Sequence, residues 1–154
     1  MASAILSQIA ASASLTISLA SIADGSGRVS AGVSNPSPSY PRIILFAKIK
    51  LGTSPNSNAI IELYLIRGDA SSPAIQDDNA GTADAAYTAL NAQLIGTLRS
   101  AAAAATGDVL RGSFIIEEPG LYWSIGVKNR TGVALDATNG NHALTYNLVD
   151  LQVQ

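Results

Sequence analysis

Charge is scarce in this chain. Nine Lys or Arg and eleven Asp or Glu make up 13% of its 154 residues, histidine occurs once and cysteine not at all. Without cysteine there is no zinc-thiolate site and no thiol nucleophile, although the absence leaves the cellular compartment open. The net charge of −2 comes with no block of basic residues to neutralise phosphates or anionic lipid, so neither nucleic acid nor membrane is an expected partner. No segment approaches the roughly 20 apolar residues of a spanning helix. Residues 1–14 place Ile5, Leu6 and Ile9 among Ala and Ser, but lack a basic residue and are interrupted by Ser7 and Gln8. They read as an N-terminal arm, 1–13, that packs on a neighbour or stays disordered, rather than as a secretion signal.

Hydrophobic residues nonetheless make up 47% of the chain. A chain of this length reads as one domain, here 14–154, and buries about 68–70% of its unfolded surface, enough for a core without disulfide or metal support. Its surface must then be Ser, Thr, Asn, Gly and Ala, which a neighbouring subunit can cover with little charge desolvation.

Periodicity points to strands. Leu15, Ile17 and Leu19 alternate with Thr16, Ser18 and Ala20, predicting a strand over 14–22 that ends at the turn Asp24-Gly25-Ser26-Gly27. A second is expected over 28–34, before Pro36, Pro38 and Pro41 force a loop-like path around Tyr40. Ile43, Leu45, Ala47, Ile49 and Leu51 mark one face of a strand over 42–51, and Ile61, Leu63 and Leu65 the same face of a return strand over 59–67. The short Gly-, Pro- and Asn-containing connection predicts that these two pair side by side. Residues 68–93 read as a contact loop or as holding a short helix near 84–92. Further strands are expected over 94–99, 112–117, 121–128, 133–135 and 143–153, with the alanine run 101–105 as a strand end or loop. The sum is an all-β antiparallel β-sandwich, jelly-roll-like, of about eight strands, with no βαβ unit.

Each motif has a structural reading that outweighs the chemical one. Arg67-Gly68-Asp69 spells an adhesion tripeptide but suits a turn in which Gly supplies a special φ. Asp77, Asp78, Asn79 and Asp84 gather oxygen ligands in one loop, yet Thr88 stands where a calcium loop needs Glu, so Asx turns are expected. His142, with Asp136 and Asp150 nearby in sequence, lacks any Gly-x-Ser-x-Gly nucleophile and reads as an exposed turn histidine. Glu117 and Glu118 are adjacent and so face opposite ways on a strand. The same argument applies to Tyr122 and Trp123, of which one belongs to the core while the other could stack on a sugar. Asn129-Arg130-Thr131 fits a glycosylation acceptor but more simply makes a hairpin turn. No catalytic, cofactor-binding or metal-ligating residue is assigned, no cofactor is expected, and an enzyme is the least supported class.

Four segments carry a resemblance: Ile61-Glu62-Leu63-Tyr64-Leu65, the loop from Asp78 to Ala86, Asn91-Ala92-Gln93-Leu94-Ile95-Gly96, and the stretch from Gly120 to Gly132. Together they resemble small structural proteins of tailed bacteriophages, from about Leu15 to the C-terminus. The resemblance implies a capsid decoration, or cement, protein. Such a protein would be a β-sandwich on the virion's capsid surface, bound to the major capsid protein and assembled as a homo-oligomer, with a trimer expected. The alternative it leaves open is a carbohydrate- or receptor-binding module of the phage tail.

Overall fold

Buried apolar side chains alternate with partly or fully exposed ones over residues 42–50 and again over 60–65, so that each strand has one continuous apolar face. A strand of that kind is stable only when its apolar face meets another. The structure is a computed structural model describing residues 5–35, 40–70, 72–73, 75–100 and 103–153, with backbone alone for 5–7 and 151–153. In it the apolar faces meet between two antiparallel sheets, forming an all-β sandwich.

Eleven strands are formed among the described residues: β1 (Ile5–Ile9), β2 (Ala13–Ser14), β3 (Gly27–Val29), β4 (Val33–Ser34), β5 (Arg42–Lys50), β6 (Ile60–Gly68), β7 (Ala85–Tyr87), β8 (Gln93–Arg99), β9 (Val109–Glu117), β10 (Tyr122–Arg130) and β11 (Ala143–Val153). The first sheet runs β1-β11-β5-β9, with β2 also on β11. The second runs β7-β3-β10-β6-β8, with β4 also on β10. Two 3₁₀ turns, Asp77–Asn79 and Asn139–Asn141, are the helical elements among the described residues.

One core fills the space between the sheets. Ile43, Leu45, Ala47 and Ile49 of β5 share it with Ile61, Leu63 and Leu65 of β6 and with Trp123, Ile125 and Val127 of β10. Trp123 is fully buried and stands edge-on to the Tyr146 ring, with centroids 5.0 Å apart and planes at 90°. That geometry places the positive ring edge of one aromatic against the negative face of the other.

The expected side-by-side pairing of 42–51 with 59–67 is not formed. β5 lies between β11 and β9, whereas β6 lies between β10 and β8 in the opposite sheet. Their apolar faces do share the core, as the alternation requires. Alternation fixes which face is buried and says nothing of which strand lies alongside; the 51–59 connection, far longer than a two-residue turn, instead crosses between sheets.

Other differences are local. Of the expected strand 14–22 only Ser14 joins a ladder, as the end of β2; beyond it Leu15 and Leu19 are buried, but their amides donate to Leu144 O and to Asn139 Oδ1 in turn. Residues 28–34 form two short strands on β10 rather than one, parted where Ser30 Oγ accepts the Ile125 amide at 3.1 Å. No strand forms at 133–135, where Leu135 is buried and its amide donates to Ile22 O. Within the segment read as an arm, residues 1–4 lie outside the described residues, while β1 runs antiparallel to β11 from Ile5↔Val153 to Ile9↔Val149. Of the proline-rich path, 36–39 lie outside the described residues, and Tyr40 is tied by its amide and carbonyl to the Asn35 side chain. Residues 101–102 of the alanine run also lie outside them.

Leu63, with no exposed surface at the centre of β6, measures the core. Replacing it with Ala is expected to cost about 2–5 kcal/mol through lost transfer energy and a residual cavity, read by chemical denaturation.

Candidate functional site

The polar residues singled out by the sequence are mostly consumed in holding the fold. Arg67 donates through its amide to Asp77 Oδ2 at 3.1 Å and through its guanidinium to Glu118 O at 3.1 Å and Gln93 Oε1 at 2.8 Å. Asp69 Oδ1 accepts the Ile75 amide. Gly68 has no positive φ; a side chain there would run into Pro73 and Tyr122, each 2.9 Å from an added Cβ. Glycine is thus needed at the tripeptide for room rather than for a special turn. Asn129 is buried, donating from Nδ2 to Ile22 O and Val133 O at 2.8 and 2.7 Å, so the amide that a glycan would modify is already engaged.

His142, expected to be exposed, is 8% exposed. Its Nδ1 accepts the Lys50 amide at 3.3 Å and its Nε2 lies 3.0 Å from Asp136 O, a pattern met by the neutral Nε2–H tautomer. The imidazole fastens the 136–142 loop to β5. Asp136 itself accepts from Asn141 Nδ2 and the Thr138 amide and pairs with Lys50 at 3.1 Å, contacts that hold its carboxyl well below the usual range. Glu117 pairs with Arg42 at 2.7 Å, and Glu118 turns out of β9 with φ of 50°.

The acidic loop is organised around protein donors. Asp78 accepts the Tyr87 hydroxyl at 2.6 Å and the amides of Leu90, Asn91 and Ala92 at 3.1, 2.6 and 3.0 Å. Asp77 receives the Arg67 amide, and Asp84 pairs with Arg28. The carboxylates therefore diverge, and no cluster able to hold a metal occurs among the described residues. Burial alone would raise the Asp78 pKa, but the hydrogen bonds from Tyr87, Asn91, Leu90 and Ala92 outweigh it and lower the carboxyl below its ordinary value. Burial, then the bond to Asp78, pushes the Tyr87 phenol far up.

Asp78 and Asn79 both take left-handed backbone, φ 57° and 50°, a conformation that Asp and Asn accept more readily than most residues. The chain here folds back over the outward face of the second sheet. Ala80, Ala85, Ala89 and Ala92 pack against Val29, Ile66, Tyr64 and Tyr87, a second and smaller apolar cluster. Gly126 makes it possible, since a Cβ there would lie 2.5 Å from the Tyr87 ring. The expected helix near 84–92 is replaced by β7, which pairs with β3, and the alanines lie flat against the chain's own sheet. Tyr122 points to this same side and is covered, its hydroxyl 3.4 Å from Thr82 O. Tyr122 and Trp123 do face opposite ways, yet neither offers an exposed ring, because the loop covers Tyr122 on the outer face as the first sheet covers Trp123 on the inner one.

The outward face of the first sheet has no such cover among the described residues. Its register sets Ile44 beside Ile115 and Asn147, Phe46 beside Ser113 and Thr145, and Lys48 beside Arg111 and Ala143. Phe46 is 42% exposed and Ile115 63%. A shallow depression of about 410 Å³ opens next to Phe46, Lys48, Arg111 and Thr145. Spacing along the chain does not mark these residues as a group, because it is pairing across strands that brings them together.

No family model and no curated protein matches the chain.

Removal of the Asp78 carboxylate, as in Asp78→Ala, should free the 87–92 strap and cost about 1–3 kcal/mol from its unpaired donors. The pH dependence has a definite sign. Because folding lowers this pKa, its contribution is complete above the unfolded carboxylate value of about 3.9 and is lost as pH falls through the lower folded value. The stability gap between the native chain and Asp78→Asn, measured by urea denaturation, should therefore be flat at neutral pH and narrow in acid.

Proposed function

We propose that this chain is a structural virion protein: a decoration, or cement, protein on the outside of a bacteriophage head, bound to the major capsid protein and stabilising contacts between capsomers. The observation that carries the reading is the unequal treatment of the two outward faces. On the second sheet the strap carrying Ala80, Ala85, Ala89 and Ala92 covers Val29, Ile66 and Tyr87, with Leu94 left exposed toward the edge, while the first leaves Ile44, Phe46 and Ile115 in contact with solvent at its centre. An apolar sheet face framed by polar residues is the kind of surface that a protein partner covers.

The connectivity supports the same reading. Successive long strands alternate between sheets: β5 in the first, β6 and β8 in the second, β9 in the first, β10 in the second, β11 in the first. We read this as a jelly roll, with β7 added at one edge, an architecture that recurs in viral capsid and lectin domains. Fold alone does not choose between those. Burial of both Tyr122 and Trp123 withdraws the residues on which a sugar-binding tail module would have rested. A cement protein needs a rigid frame and an adhesive face rather than a reaction, and it matches shell positions of local threefold symmetry most simply as a homotrimer.

The copy number and position of the protein in purified particles test this directly. Hundreds of copies on the head, and heat resistance restored when the protein is added back to stripped heads, are the expected outcome. A few copies at the tail tip, or none in the particle, would overturn it. Deleting residues 1–12 takes the edge strand β1 off β11 but no core residue, since the core begins at Leu15 and Ile9 is 61% exposed, so the sandwich should stay folded while occupancy on stripped heads falls.

A further inference from the structure

Four cations project from the outward face of the first sheet, which β5 and β9 share: Arg42, Lys48, Lys50 and Arg111. Two are answered within the chain, Arg42 by Glu117 and Lys50 by Asp136. Lys48 and Arg111 sit directly opposite each other in the ladder, and neither has a carboxylate within salt-bridge distance among the described residues. Like charges in directly opposed positions destabilise a sheet. In a chain with few charges and a net of −2, this face is locally positive by two.

We propose that Lys48 and Arg111, together with Phe46, form a docking site for an acidic segment of a partner protein, whose carboxylates sit between the two cations while an apolar neighbour lies on the Phe46 ring. The occupant follows from charge and shape. A second copy laid face to face would stack one positive face upon another. A phosphate backbone calls for a stripe of many cations, whereas this face offers two beside an apolar centre of Ile44, Phe46 and Ile115. A carboxylate accepts bidentate hydrogen bonds from a guanidinium and a further one from an ammonium, and the shallow depression beside Phe46 leaves both donors reachable from solvent. The identity of the partner as a shell protein rests on the reading above; its acidic character does not.

One substitution separates binding from folding. Lys48→Glu puts a carboxylate opposite Arg111, replacing a like-charge pair by an opposite-charge one, so the site is occupied from within and the melting temperature should hold or rise. The probe is a synthetic peptide alternating Glu and Leu, with a Gln-for-Glu analogue and a short DNA duplex as comparators, titrated against the full chain at low and physiological salt. Expected is binding of the Glu peptide that weakens with salt, and a loss of about tenfold or more both in Lys48→Glu and with the Gln analogue. Equal binding by Lys48→Glu, or tighter binding of the duplex than of the peptide, would overturn the proposal. Stripped heads separate the two readings. Heads that take up native chain and Lys48→Glu alike overturn the docking site and leave the cement role standing, whereas Lys48-dependent peptide binding by a chain that ignores heads supports the site and sinks the cement role.

Discussion

Apart from β6 and β8, which pair directly, consecutive long strands of this chain belong to opposite sheets, and most of what is distinctive about the molecule follows from that. β5 and β6 are joined by one connection yet lie on either side of the core, as do β8 and β9, β9 and β10, and β10 and β11. Neither sheet is a local meander that could form by itself. Each inner face is apolar and has only the other to cover it, so Ile43, Leu63 and Trp123 are buried together or not at all. Hydrophobic burial of this kind is the principal favourable term available to a chain that has neither disulfides nor any quantity of ion pairs.

The outward faces diverge because the chain spends its polar groups unevenly. Over the second sheet, Asp78 gathers four donors from a single strap, and that convergence lets small side chains lie against Val29, Ile66 and Tyr87. Three amides and a phenol need one acceptor with several lone-pair directions, which an ionised carboxylate provides. Over the first sheet no segment of comparable length returns among the described residues, and Lys48 and Arg111 keep their donors unspent. One face is largely closed by the fold itself, and the other is left open to solvent among the described residues.

How legible this was varies with the range of the interaction. Period-two alternation identified the buried faces of β5 and β6, and the strand at 121–128 was legible as β10, because such signals are written by adjacent residues. The neighbours of each strand were not legible, and the adjacent pairing of 42–51 with 59–67 failed for that reason. Both faces of β10 are buried, Tyr122 by a loop and Trp123 by the core, where alternation alone allowed one of them to be free. The Asp-rich loop had the residue types of a cation site and the geometry of a cap, since carboxylates suit either and only the positions of their donors decide. Lys48 and Arg111 lie far apart in sequence and become neighbours only through the register of β5 with β9.

β11 is the last strand in chain order and an interior strand of its sheet, held by β1 and β2 on one side and by β5 on the other. A polypeptide still emerging from the ribosome and stopped short of residue 143 has therefore made β1, β2, β5 and β9 but cannot join them into one sheet. It carries two separated edges with open hydrogen-bonding groups and half a core, the condition in which nascent chains are held by chaperones or associate wrongly. Completion of this sheet is deferred until β11 has been made, whereas β3, β4, β6, β7, β8 and β10, the strands of the second sheet, all precede it in the chain.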